Sequence, residues 1–153
     1  MVVFTQKDVD TTRDFALAWS ECVRRKYGSL IVDQSQNPVV LATNRRVGKY
    51  CNNKVCIRDY CKAPHGERVE LGGEIHSEQA ALVQFQGYAP DHHFLLVGTD
   101  KNGEQLDGID NYPCHVCAMM IKYAGFRNVW MPFGTDIKPV SIDEILEHYE
   151  RMD

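Results

Sequence analysis

The sequence has no run of about 18 apolar residues, the length a membrane-spanning helix requires. Its opening "MVVFTQKDVDTTRD" meets Lys7 and Asp8 before any apolar stretch of leader length. A secretory leader and a membrane partner are therefore not expected, and the chain reads as cytoplasmic. It shows no internal repeat, low-complexity tract or linker, so one domain over residues 1–153 is expected. An excess of positive charge is missing too. The 17 Lys and Arg face 21 Asp and Glu, which disfavours nucleic acid as the main partner.

What the chain does have is six cysteines. In a reducing compartment they point to metal binding or catalysis more than to a disulfide framework. It also has a local basic cluster: Arg24, Arg25, Lys26, Arg45, Arg46, Lys49 and Lys54 are opposed between residues 24 and 54 only by Asp33. Such a segment is either a solvated basic face or a pocket for a small phosphate.

Helix and strand signals alternate. Asp8 to about Tyr27 predicts a first helix, with Phe15, Leu17, Ala18, Trp19, Cys22 and Val23 as its apolar face and Gly28 as its stop. "SLIVD" and "PVVLATN" predict a hairpin, and residues 45–73 predict a long irregular loop. "HSEQAALVQFQG" predicts a largely buried helix stopping at Gly87. "HHFLLVG" predicts a strand, "PCHVCAMMIKYAG" a helix ending at Gly125, and "NVWMP" another strand. Ser141 with Glu144 makes a capping box for a last helix. An α/β layered fold follows.

Cys114 and Cys117 stand three apart at the head of a predicted helix, directly after Pro113. They could be a redox dithiol, half of a structural zinc knuckle, or two ligands of a catalytic metal. Both sulfurs can turn toward one point there, and the free N–H groups and positive dipole end favour thiolates. Two thiolates leave zinc short of ligands, and His76, which also opens a predicted helix, is the candidate third. Glu78 lies two residues on. Residues two apart do not share a helix face, so both reach one site only if the chain is still turning into the helix at His76. In that arrangement His76, Cys114 and Cys117 hold Zn²⁺, water takes the open fourth place, and Glu78 carries protons. The chemistry suits hydrolytic removal of an amino group.

His76-Ser77-Glu78 followed by Pro113-Cys114-x-x-Cys117 is the H-x-E…P-C-x-x-C pattern of zinc deaminases. With "CVRRKYGSLIV", "PHGERVEL", "IHSEQAAL" and "PCHVCAMMIKYAGFRNVW", the chain resembles the cytidine and deoxycytidylate deaminase superfamily over roughly residues 14–131, most of all its deoxycytidylate branch. The resemblance implies a three-layer sandwich: a mixed five-stranded sheet with helices on both faces. It implies hydrolysis of dCMP to dUMP and ammonia, with His76, Cys114 and Cys117 as zinc ligands and Glu78 as the proton shuttle. By the same resemblance Asn44 meets the sugar, and the chain forms a homo-oligomer. A second, structural zinc is implied in the region of Cys22, Cys51, Cys56, Cys61 and His65, although Gly72 stands where some relatives have another cysteine. Ala80 replaces an asparagine of relatives, and "NRRVG" replaces a glycine-rich turn, which weighs against control by dCTP and dTTP. Arg24, Arg25, Arg45 and Arg46 are the candidate phosphate contacts, and Tyr112 could stack on a pyrimidine or serve simple packing.

The substrate expected first is therefore the small nucleotide dCMP. Alternatives within the chemistry are a nucleoside, a free base such as guanine, or a modified pyrimidine. Outside it stands a non-catalytic module in which Cys114 and Cys117 join four-ligand structural zinc sites.

Overall fold

The computed structural model describes residues 3–22, 24–47, 74–87 and 89–151. Helix α1 spans Gln6–Trp19, and β1 (Lys26–Val32) and β2 (Pro38–Thr43) follow as an antiparallel hairpin. Two-residue strands β3 (Arg45–Arg46) and β4 (Glu74–Ile75) pair antiparallel. Helix α2 (Ser77–Phe85) then leads to β5 (His93–Thr99). A short 3₁₀ turn at Gly108–Asn111 precedes α3 (His115–Tyr123), and β6 (Asn128–Phe133), β7 (Asp136–Ser141) and α4 (Ile142–Glu150) complete the chain. Among the described residues, no helix is long and apolar enough to cross a membrane.

The sheet has five strands in the order β2-β1-β5-β6-β7. It is mixed, because β5 and β6 run parallel while the other neighbours are antiparallel. The period-2 alternation of strands sends successive side chains to opposite faces. Leu30, Val32, Leu95 and Val97 meet Val9 of α1 on one face. Ile31, Phe94, Leu96 and Val129 meet Ala81 of α2, Ala118 and Ile121 of α3, and Ile145 of α4 on the other. This is the mixed five-stranded sheet with helices on both faces that the family resemblance implies.

Three element boundaries differ from expectation. Helix α1 ends at Trp19, eight residues before Tyr27, because Ser20 turns extended at φ −66° and ψ 136°. Lys26 Nζ then donates to the carbonyls of Ser20 and Cys22 at 3.1 Å each, satisfying the chain where it leaves the helix. Gly28 is thus no helix stop. It lies in β1 beneath α1, where a Cβ would come within 2.5 Å of the Thr12 carbonyl oxygen. Helix α2 ends at Phe85, two residues before Gly87, with Gln86 as a left-handed cap at φ 51° whose N–H bonds Leu82 O at 3.1 Å. Strand β7 was not expected. Its signal is the two-residue turn Gly134-Thr135, with Gly134 at φ 66°. Pro139 obscures it, and is tolerated because β7 is an edge strand.

Gly28→Ala should destabilise the fold by about 1–3 kcal/mol through overpacking against backbone. A lowered urea midpoint with unchanged slope checks this.

Candidate metal centre

Helices α2 and α3 are both entered through residues that matter chemically. His76 is the N-cap of α2, with extended dihedrals of φ −70° and ψ 155°. The chain is therefore still turning at His76, the condition under which His76 and Glu78 can face one site. The His76 N–H donates to Gln79 Oε1 at 3.0 Å, fixing the first turn. Cys114 is the N-cap of α3, and its sulfur accepts from the Cys117 N–H at 3.4 Å. Asn111, fully buried, donates from Nδ2 to the Leu96 carbonyl at 2.6 Å and ties the segment before Cys114 to β5.

The two N-caps meet. His76 Nδ1 lies 3.5 Å from Cys114 Sγ and 3.3 Å from Cys117 Sγ. The ligand atoms of the three residues lie within 4.8 Å of one another, and no fourth His, Cys, Asp or Glu joins them among the described residues. Zinc held at about 2.0–2.1 Å from nitrogen and about 2.3 Å from sulfur in a tetrahedron needs an N···S separation of about 3.5 Å. The donor set and its spacing fit that ion.

The hydrogen bond between the two thiols pushes their proton affinities in opposite directions. The Cys114 thiol falls to about 4, first through the hydrogen bond from Cys117 and then, against burial, through His76. Cys117 is correspondingly raised, by its bond to Cys114 and by burial. Burial works against a charge on His76, but the Cys114 sulfur and the Glu78 carboxylate outweigh it and hold the imidazole at about 8.

Glu78 sits one residue into α2 from Ser77, 4% exposed. Burial raises its carboxyl above the usual range, opposed by His76. Its Oε1 accepts from Ser77 Oγ at 2.8 Å, and Ser77 Oγ in turn lies 2.8 Å from Ser29 Oγ of β1. Tyr149, on α4, is a neighbour the sequence reading missed. Its ring lies 6.0 Å from that of His115, its hydroxyl is buried without a hydrogen-bond partner among the described residues, and burial raises the phenol, followed by the charges of Cys114, Tyr27, Glu78 and Cys117. Only its i, i+3/i+4 relation to Ile145 and Leu146 on a C-terminal helix face hinted at an inward side chain.

The other expected residues are distributed as follows. Asn44 is buried, and its amide is engaged by the fold: Nδ2 donates to Arg25 O at 3.0 Å, and Oδ1 accepts from the Tyr27 N–H at 3.1 Å and from the hydroxyls of Ser20 and Thr43. Tyr112 donates to Glu144 Oε2 at 3.2 Å and stands edge-on to His148, so it packs against α4. Arg25 reaches the Tyr27 hydroxyl and the Asp110 carbonyl, each at 3.4 Å. Arg45 pairs with Glu21 at 3.0 Å with its side chain 63% exposed, and Arg46 lies opposite Glu74 in the β3–β4 ladder, two residues before His76. Arg24 is half-buried at the end of the loop that leads into β1. Cys22 is buried, its thiol pushed up to about 12 by burial and then by Glu74. Cys51, Cys56, Cys61 and His65 lie outside the described residues, as do Lys49, Lys54 and Gly72.

No protein-family model matches the chain, and no curated protein sequence matches it. Solved structures do. The cytidine deaminase from Mycobacterium tuberculosis superposes with a TM-score of 0.51 at 15% identity, covering 91% of this chain and 94% of that one. A mutant of the same enzyme gives 0.53 at 14% identity, covering 90% of each chain. The fold is therefore that of a cytidine deaminase, carrying a His/Cys/Cys cluster suited to zinc.

Purified chain should carry zinc, and Cys117→Ala should lose one equivalent per chain after dialysis. Metal analysis by plasma emission beside the parent checks this; unchanged zinc would remove the assignment.

Proposed function

We propose that this chain is a zinc-dependent hydrolytic deaminase of a small cytosine nucleotide, with dCMP as first substrate and dUMP and ammonia as products. The observation that carries the reading is the meeting of His76 Nδ1 with the Cys114 and Cys117 sulfurs at 3.5 and 3.3 Å, beside the buried Glu78. His76, Cys114 and Cys117 hold the ion. When bound there, zinc supplies Lewis-acid activation of water for attack on the amine-bearing carbon of the ring.

Glu78 manages the protons. Its buried carboxyl has a raised proton affinity, so it can take a proton from water, pass it to the ring nitrogen, and return another to the departing amino group. Water and dCMP thus balance dUMP and ammonia. The first turns of α2 and α3 present their free N–H groups and positive dipole ends around the same point, which favours the thiolates over thiols.

The phosphate is read by charge. Arg45 and Arg46 lie on β3, whose partner strand runs directly into His76, and Arg25 lies beside Tyr27. Two arginines each making a charge-assisted bond of about 1.5–3 kcal/mol would favour the monophosphate over the nucleoside by about two to four powers of ten.

Two experiments test this. Glu78→Gln should lower ammonia release from dCMP by about a hundredfold or more with zinc retained; full turnover would sink the catalytic reading and leave a structural zinc module. Charge removal at Arg24, Arg25, Arg45 or Arg46 should raise the KM for dCMP and leave deoxycytidine turnover alone. Equal effects on both substrates, or ammonia release only from unphosphorylated compounds in a panel that includes guanine, would overturn the nucleotide assignment.

A further inference from the structure

Ser29 and Ser77 are both fully buried. Ser29 lies in the middle of β1, paired with Ala42 on one side and Leu96 on the other. The face it shares with Ile31, Phe94 and Leu96 is otherwise apolar. Ser77 is the first residue of α2, one step from Glu78. A serine hydroxyl has one proton to donate. That of Ser77 is committed to Glu78 Oε1 at 2.8 Å, so across the 2.8 Å contact between the two serines Ser29 is the donor and Ser77 the acceptor. While the carboxyl is ionised, the chain of donation runs from the sheet to Glu78.

Ser77 also satisfies a buried carboxyl oxygen, so its loss would leave Glu78 Oε1 without that donor and lower stability. What the hydroxyls do that alanines cannot is hold one particular oxygen of Glu78. The 2.8 Å bond from Ser77 occupies Oε1 and leaves Oε2 as the oxygen not used by the serine chain. The anchor is a central strand, and the carboxyl rotates only by breaking a buried bond.

We propose that Ser29 and Ser77 are positioning residues that fix Glu78 Oε1 and so hold the carboxyl in the orientation in which it carries protons in the deamination. The proposal rests on the deaminase reading of Glu78. A wandering carboxyl loses rate, because misplacement of a reacting group by about 1 Å can lower turnover by about a hundredfold.

The test is a double-mutant cycle on dCMP deamination, with zinc content and urea midpoint followed for every variant. Ser77→Ala should lower kcat about tenfold or more with KM and zinc content unchanged, and Ser29→Ala should lower it less. The double variant Ser29→Ala, Ser77→Ala should match Ser77→Ala in kcat, with its urea midpoint lowered no further than that of Ser77→Ala. In a Glu78→Gln background, Ser77→Ala should bring no further loss, because nothing remains to be positioned. An equal loss in both backgrounds, or an undiminished kcat in Ser77→Ala while Glu78→Gln is impaired, overturns the relay and leaves the deaminase reading standing. A folded, zinc-loaded parent that deaminates no compound overturns both.

Discussion

The meeting of two helix N-termini is the constraint on which the rest of the molecule depends. His76 and Cys114 are both N-caps, residues with extended dihedrals whose side chains project past the helix end instead of along its flank. Each helix supplies free N–H groups and the positive end of its dipole to the same small volume. Three soft or borderline donors gather there within a few ångströms, and the hydrogen bond between the two thiols pushes Cys114 down and Cys117 up. A cluster so demanding persists because the packing beneath it allows little else: Ala81 under α2 and Ala118 and Ile121 under α3 are fully buried against the sheet.

The surroundings hold the two N-caps in place. Asn111 ties the segment before Cys114 to β5, and the β3–β4 ladder ends one residue before His76. Asn44, with four protein partners on its amide, braces the end of β2 against the loop that enters β1. Tyr112 is likewise engaged by α4, through Glu144 and His148. Tyr149 differs from both. Its hydroxyl is buried with no hydrogen-bond partner among the described residues, and an unsatisfied buried hydroxyl costs about 1–3 kcal/mol unless a ligand or water completes it.

How much of this was legible in the sequence depends on the range of the interactions concerned. Helix α3, its stop within two residues of Gly125, and the capped start of α4 at Ser141 follow from local periodicity and capping, which act within a turn or two. The end of α1 was misplaced because Gly28 looks like a stop in one dimension. Its real role, letting Thr12 of α1 approach β1, is a contact between elements. Strand β7 was hidden by Pro139, which is acceptable only once β7 is known to be an edge. The Ser29–Ser77–Glu78 chain joins residues 48 positions apart, and no spacing rule links them.

The sequence by itself determined the donor types, their place at helix starts, and the pairing of a histidine with a carboxylate two residues on, because capping and dipole effects are local. Only the tertiary structure decided that the two starts face each other, which oxygen of Glu78 is held, and that Asn44 and Tyr112 are engaged by the fold. Those outcomes depend on how helices lie across one sheet, and that is set by burial of apolar faces summed over the whole layer.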